Sequence, residues 1–114
     1  MKLVTDGKLI TCIVPKGRGK LVQKGLVEML DIHHSTLHHA RGVGRFSPIS
    51  SRGIGEQQEK EIVEVTVAAD KADEVFEFMF GAGEMGQPHG GIIYMCEAPR
   101  TTIMELPDLA ELAR

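Results

Sequence analysis

Twice along this chain a short apolar run is followed, within a few residues, by apolar residues at helical spacing. The second copy is the clearer. Val63, Val65 and Val67 alternate with Ile62, Glu64 and Thr66, the period-two pattern of a strand with two different faces. Beyond them Ala72, Val75, Phe76, Met79 and Phe80 stand at i, i+3, i+4, i+7 and i+8, which is one face of a helix. Asp70 is expected to cap that helix, Asp73 and Glu74 put carboxylates in its first turn, and Gly81 is expected to stop it. The first copy is residues 8–14, a buried strand ended by Pro15, then residues 20–30, where Leu21, Val22, Leu26, Met29 and Leu30 form the apolar side. Gly25 interrupts this helix, either weakening it by about 1 kcal/mol relative to Ala or admitting another backbone.

Two further strands complete the pattern. Residues 33–41, with Thr36 and Leu37, have the length of a strand, and residues 92–98 form the last one. Residues 107–114 read as a short terminal helix. The order strand, helix, strand, loop, strand, helix, loop, strand is a split βαβ unit repeated once. It predicts an α+β fold with two helices on one face of a four-stranded antiparallel sheet. The other face of such a sheet needs a cover, and in so short a chain a homo-oligomer is the simplest one.

Composition bounds the function. At 114 residues the chain is expected to be one domain, residues 1–114. A net charge of −3 gives no general attraction to nucleic acid or to an anionic membrane. No apolar run is long enough to insert into a bilayer and residues 1–7 lack the form of a signal peptide, so a cytoplasmic location is expected. Cys12 and Cys96 both lie in apolar strand-like runs and are expected to be reduced core residues. Met29, Met79 and Met95 are expected in the core as well.

Between the strand at 33–41 and the strand at 62–67 runs a stretch with no apolar period, opened by Gly42, Gly44 and Arg45. A compact chain seldom carries so long an insertion unless it is used for binding. Glycine turns expose successive backbone N–H groups that make concave anion sites, and Arg45 adds a charged donor. Residues 56–61, rich in Glu, read as a solvated exit from this loop. A second glycine-rich loop fills residues 81–91.

These motifs, from about residue 8 to 102, resemble the PII signal-transduction proteins, a trimeric ferredoxin-like family. Thr36 to Arg45, ending Gly42-Val43-Gly44-Arg45, is similar to that family's second strand and the start of its T-loop. Arg52-Gly53 stands where the T-loop carries an Arg-Gly pair, and Gly86 to Tyr94 resembles the B-loop and the strand after it. The resemblance implies a T-loop at about 43–60, a B-loop at about 81–91 and a tail at 99–114. It implies a homotrimer that holds an adenine nucleotide between subunits, with Thr36 at the adenine, Gly42, Gly44 and Arg45 at phosphate, and Gly86, His89, Gly90 and Gly91 as the opposite wall. Phe46, Ser47, Ser50, Ser51, Arg52 and Gly53 would form the effector loop that meets a membrane transporter or a metabolic enzyme of nitrogen metabolism.

The departures from the family pattern are specific. His89 and Gly91 replace the Asp and Lys of the usual Asp-Gly-Lys, Phe46 replaces a Gln, residues 101–105 lack paired arginines, and the loop has no tyrosine. Each loss weakens triphosphate binding, so the expected ligand is AMP or ADP rather than ATP, or a small anion such as bicarbonate, with regulation of inorganic-carbon uptake as one outlet. No cofactor is required. The alternative is a CutA-like trimer that binds a metal or small ligand through His33, His34, His38 and His39; on a strand, however, His34 and His38 stand about 13 Å apart, too far to share one ion, and the four are expected to be ordinary polar residues. No nucleophile has an evident base and no carboxylates are paired, so no enzyme activity is expected.

Overall fold

The computed structural model describes residues 3–42, 58–88 and 90–102. The strands are β1 (Leu3–Val4), β2 (Gly7–Pro15), β3 (Thr36–Gly42), β4 (Gln58–Ala68), β5 (Ile92–Ala98) and β6 (Thr101–Thr102), and the helices are α1 (Arg18–Leu30) and α2 (Ala69–Ala82). Four strands form one antiparallel sheet in the order β3-β4-β2-β5. Both helices pack on one face of it, giving the expected α+β, ferredoxin-like βαββαβ arrangement.

The core lies between the helices and this face. Ile10, Cys12 and Val14 of β2 and Val63 and Val65 of β4 meet Val22 and Leu26 of α1 and Val75 and Met79 of α2. Alternate residues of the same strands point to the opposite face, which carries no helix. There Ile13 of β2 lies between Ile62 of β4 and Ile92 of β5, Leu9 lies between Thr66 and Cys96, and Tyr94 stands opposite Thr11; Ile92 and Tyr94 are 57% and 44% exposed.

Several sequence expectations are corrected by these contacts. The side of α1 that faces the sheet is Gly19, Val22 and Leu26, which turns Leu21 outward and leaves Met29 72% exposed. Gly25 admits a side chain rather than a backbone, because a Cβ there would stand 2.6 Å from the Phe78 ring of α2. Phe80 is exposed, and α2 runs one residue past Gly81 to Ala82. Ala68 occupies the N-cap position, while Asp70 sits in the first turn. Cys96 is exposed because it shares a face with Ile92 and Tyr94, whereas Cys12 is buried.

The charged run before the third long strand also differs from its reading. β4 begins at Gln58, and Glu61 is only 3% exposed. Its carboxylate Oε1 accepts the backbone N–H of Gly19 at 2.8 Å, capping one of the free donors at the start of α1 from a distant strand. The strand read at 33–41 starts at Thr36. The ribbon of β1 and β6, which pairs Leu3 with Thr102 and Val4 with Thr101, was not visible in the sequence, since two-residue strands have no period to read. The terminal helix expected at 107–114 lies outside the described residues.

Candidate functional site

The chain direction sorts the loops between two poles. β2 ends, α1 begins, β3 ends, β4 begins and α2 runs into β5 all at one pole, so Gly42 and the 83–91 turns share it. Within that pole they do not meet. Gly42 is on β3 and Gly91 leads into β5, and these are the two outer strands of the sheet. Three inter-strand spacings, or about 14 Å, separate the edges. Thr36 lies on the same edge as Gly42 but six residues away, about 20 Å along the strand, and its side chain shares the helix-free face with Thr11 and Glu64.

The glycines of the second loop have packing reasons of their own. A Cβ on Gly90 would stand 2.0 Å from the Glu84 carbonyl oxygen, and one on Gly91 would stand 1.9 Å from that of Ile13. Gly91 also has φ of 93°, a region that L side chains rarely adopt. Successive turns build the segment: the Met85 N–H donates to the Phe80 carbonyl, Gln87 to Glu84, and Gly90 to Gln87, each at 3.0 Å. Gly86 is open by comparison, since a Cβ there would meet only the Phe80 ring, at 3.7 Å. Of the expected site residues, Gly44, Arg45, His89, Phe46, Ser47, Ser50, Ser51, Arg52 and Gly53 lie outside the described residues.

Charges absent from the sequence reading surround this pole. The Arg18 guanidinium meets Glu84 Oε2 at 3.0 Å, tying the start of α1 to the glycine turns. Lys16 Nζ meets Glu59 Oε2 at 3.1 Å. Hydrogen bonding from Lys16 and its charge, aided by Arg41 and His39, hold the Glu59 carboxyl below its ordinary range. Lys16 and Arg18 flank Gly17 between β2 and α1, and their carboxylate partners come from β4 and from the glycine turns respectively. Both cations are held by carboxylates of this chain, so an anion arriving here would compete with Glu59 and Glu84.

Three of the histidines have separate partners. His34 Nε2–H donates to the Thr66 carbonyl at 2.8 Å, His38 Nε2 meets Glu64 Oε1 at 2.8 Å, and His33 Nε2 meets Asp31 Oδ1 at 2.6 Å. Glu64 Oε2 also accepts from the Thr11 hydroxyl at 3.1 Å, which links β3, β4 and β2 across the helix-free face. Among the described residues no group of three or more His, Cys, Asp or Glu is placed to hold a metal ion. Nor is any described helix long and apolar enough to cross a membrane.

With two helices on one face of a ferredoxin-like antiparallel sheet, the architecture is that of the PII proteins. A solved PII protein from Arabidopsis thaliana, bound to citrate, superposes with a TM-score of 0.63 at 20% identity, over 80% of this chain and 76% of that one. No protein-family model and no curated protein matches the sequence. The likeness therefore defines the fold.

Proposed function

We propose that this chain is a PII-like regulator. It works as a homotrimer whose inter-subunit clefts capture AMP, ADP or a small anion such as bicarbonate. Its T-loop then acts on a transporter or enzyme of nitrogen or inorganic-carbon metabolism. The observation that carries this reading is the placement of Gly42 and Gly90–Gly91 at one pole but on opposite sheet edges. In one subunit they lie on opposite edges, and packing the helix-free faces of several copies around an axis would set the β3 edge of one copy beside the β5 edge of the next. The exposed Ile92 and Tyr94, with Leu9, Ile13 and Ile62, supply the apolar surface for that packing.

In this reading Thr36 meets the adenine, the backbone at Gly42 and Gly44 with the Arg45 guanidinium meets the anion, and Gly86, His89, Gly90 and Gly91 of the neighbouring copy close the cleft. The Arabidopsis PII is bound to citrate, a small carboxylate anion, which is consistent with a small-anion ligand for this chain. Calorimetric titration with AMP, ADP, ATP and bicarbonate tests the assignment. ADP or bicarbonate is expected to bind more tightly than ATP, and Arg45→Ala to weaken binding by about 1–3 kcal/mol. Unchanged affinity in that variant discards the role of Arg45, and absence of heat with every ligand discards the sensor.

A further inference from the structure

A cavity of about 520 Å³ opens at the opposite pole. Val4 of β1, Leu30 at the end of α1, Ile32 beyond it, Val67 of β4 and Val75 of α2 form its apolar walls. Its size lies within the 300–1,000 Å³ typical of small-molecule sites, as does the combination of apolar walls with a few polar groups.

Those polar groups are informative. Lys71 and Glu74 stand at the cavity three residues apart on α2, so their Cβ atoms are about 5–6 Å apart. They are close enough to pair, yet neither forms an ion pair with the other or with another described residue. One ammonium and one carboxylate thus line the same apolar hollow. His34 also lines it and is held in place by its bond to the Thr66 carbonyl.

This charge pattern selects among ligands. A fatty acid would bring its carboxylate beside Glu74, and an apolar amine would bring its ammonium beside Lys71. A nucleotide would set phosphates against Glu74 with no aromatic side chain in the lining on which to stack its base. A molecule with an ammonium and a carboxylate on one carbon and an apolar body satisfies all three features.

We propose that this cavity binds a free α-amino acid with a large apolar side chain, branched or aromatic. Its carboxylate meets the Lys71 ammonium, its ammonium meets the Glu74 carboxylate, and its side chain lies against Val4, Leu30, Ile32, Val67 and Val75. Because the cavity joins the end of α1, the junction of β4 and α2, and the β1–β6 ribbon, the ligand would tie the terminal ribbon to the body of the subunit. The site is independent of the glycine cleft at the other pole.

Methyl NMR on the full chain, titrated with L-leucine and L-phenylalanine, tests this. Saturable shifts of the Val4, Leu30, Ile32, Val67 and Val75 methyls at one ligand per chain are expected. 4-Methylpentanoate, which lacks the ammonium, and 3-methylbutylamine, which lacks the carboxylate, are each expected to bind at least tenfold more weakly than leucine. Lys71→Met and Glu74→Gln are expected to weaken leucine tenfold or more while leaving the melting temperature of the free protein unchanged, since both side chains are exposed. No saturable shift at millimolar amino acid, equal binding by either analogue, unaltered affinity in both variants, or shifts confined to residues outside the cavity would each overturn the proposal.

Discussion

Replacing Gly91 by alanine isolates what the second glycine loop is for. The backbone there has φ of 93°, and the added Cβ would stand 1.9 Å from the Ile13 carbonyl oxygen and 3.0 Å from its carbon. Holding an L residue in the left-handed region costs about 1–2 kcal/mol. The Ile13 carbonyl belongs to the central strand, where Ile13 is in register with Ile62 on one side and Ile92 on the other, so it cannot retreat without disturbing the sheet. Losing one or two ladder hydrogen bonds adds about 1 kcal/mol each. A total of about 2–4 kcal/mol is a large part of the stability of a small domain. Gly81→Ala is the control, because nothing lies within 4 Å of its Cβ position and the residue is helical. That change should be neutral or stabilise by up to about 1 kcal/mol. Urea unfolding followed by far-UV circular dichroism, at one fixed chain concentration, measures both. With a slope of about 1–2 kcal/mol per molar urea, Gly91→Ala should lower the midpoint by at least about 1 M. A loss below about 0.5 kcal/mol would refute the close approach and return Gly91 to the status of an ordinary loop residue.

Further expectations follow from single contacts. Glu61→Ala leaves the Gly19 N–H without its acceptor in a buried place and should cost about 1–3 kcal/mol in the same unfolding assay, with Glu61→Gln recovering part of it; equal losses in the two variants would deny the capping role. Burial pushes the Cys12 thiol from its ordinary 9.0 up to about 11, so the unfolded chain releases this proton first. Stability from the neutral thiol is therefore complete below pH 9 and is lost as pH climbs through 11, by on the order of 2–3 kcal/mol. Melting temperatures of the wild type and Cys12→Ala compared across that range should show the extra loss in the wild type alone, and parallel curves would contradict it. Ile92→Asp on the helix-free face should lower the molecular mass of the assembly while leaving the far-UV spectrum intact; an unchanged mass would place the subunit contact elsewhere.

The sheet and helices were legible in the sequence where one face alone is buried. Val63 and Val65 alternate with half-exposed neighbours, and Ala72, Val75 and Met79 keep a helical period because each contributes to one core. Reading failed where burial is decided by a distant partner. Glu61 looks like a solvated charge until Gly19 is set above it, and Met29 looks like core until the sheet takes the Val22 and Leu26 side of α1. At the candidate site the glycine turns were legible, while their separation onto opposite edges depends on strand order, which no local pattern encodes. The cavity at the other pole was invisible because its walls come from five segments, and Glu74 was read only as a first-turn carboxylate.

The proposed sensor function depends on copies of this subunit joining through the helix-free face. Sedimentation equilibrium of the purified chain measures that directly. The account predicts a mass of about 37.5 kDa, three times the 12.5 kDa of one chain. A species of 12.5 kDa that persists at high chain concentration would contradict it, because Gly42 and Gly91 would then have no neighbour across which to form a cleft.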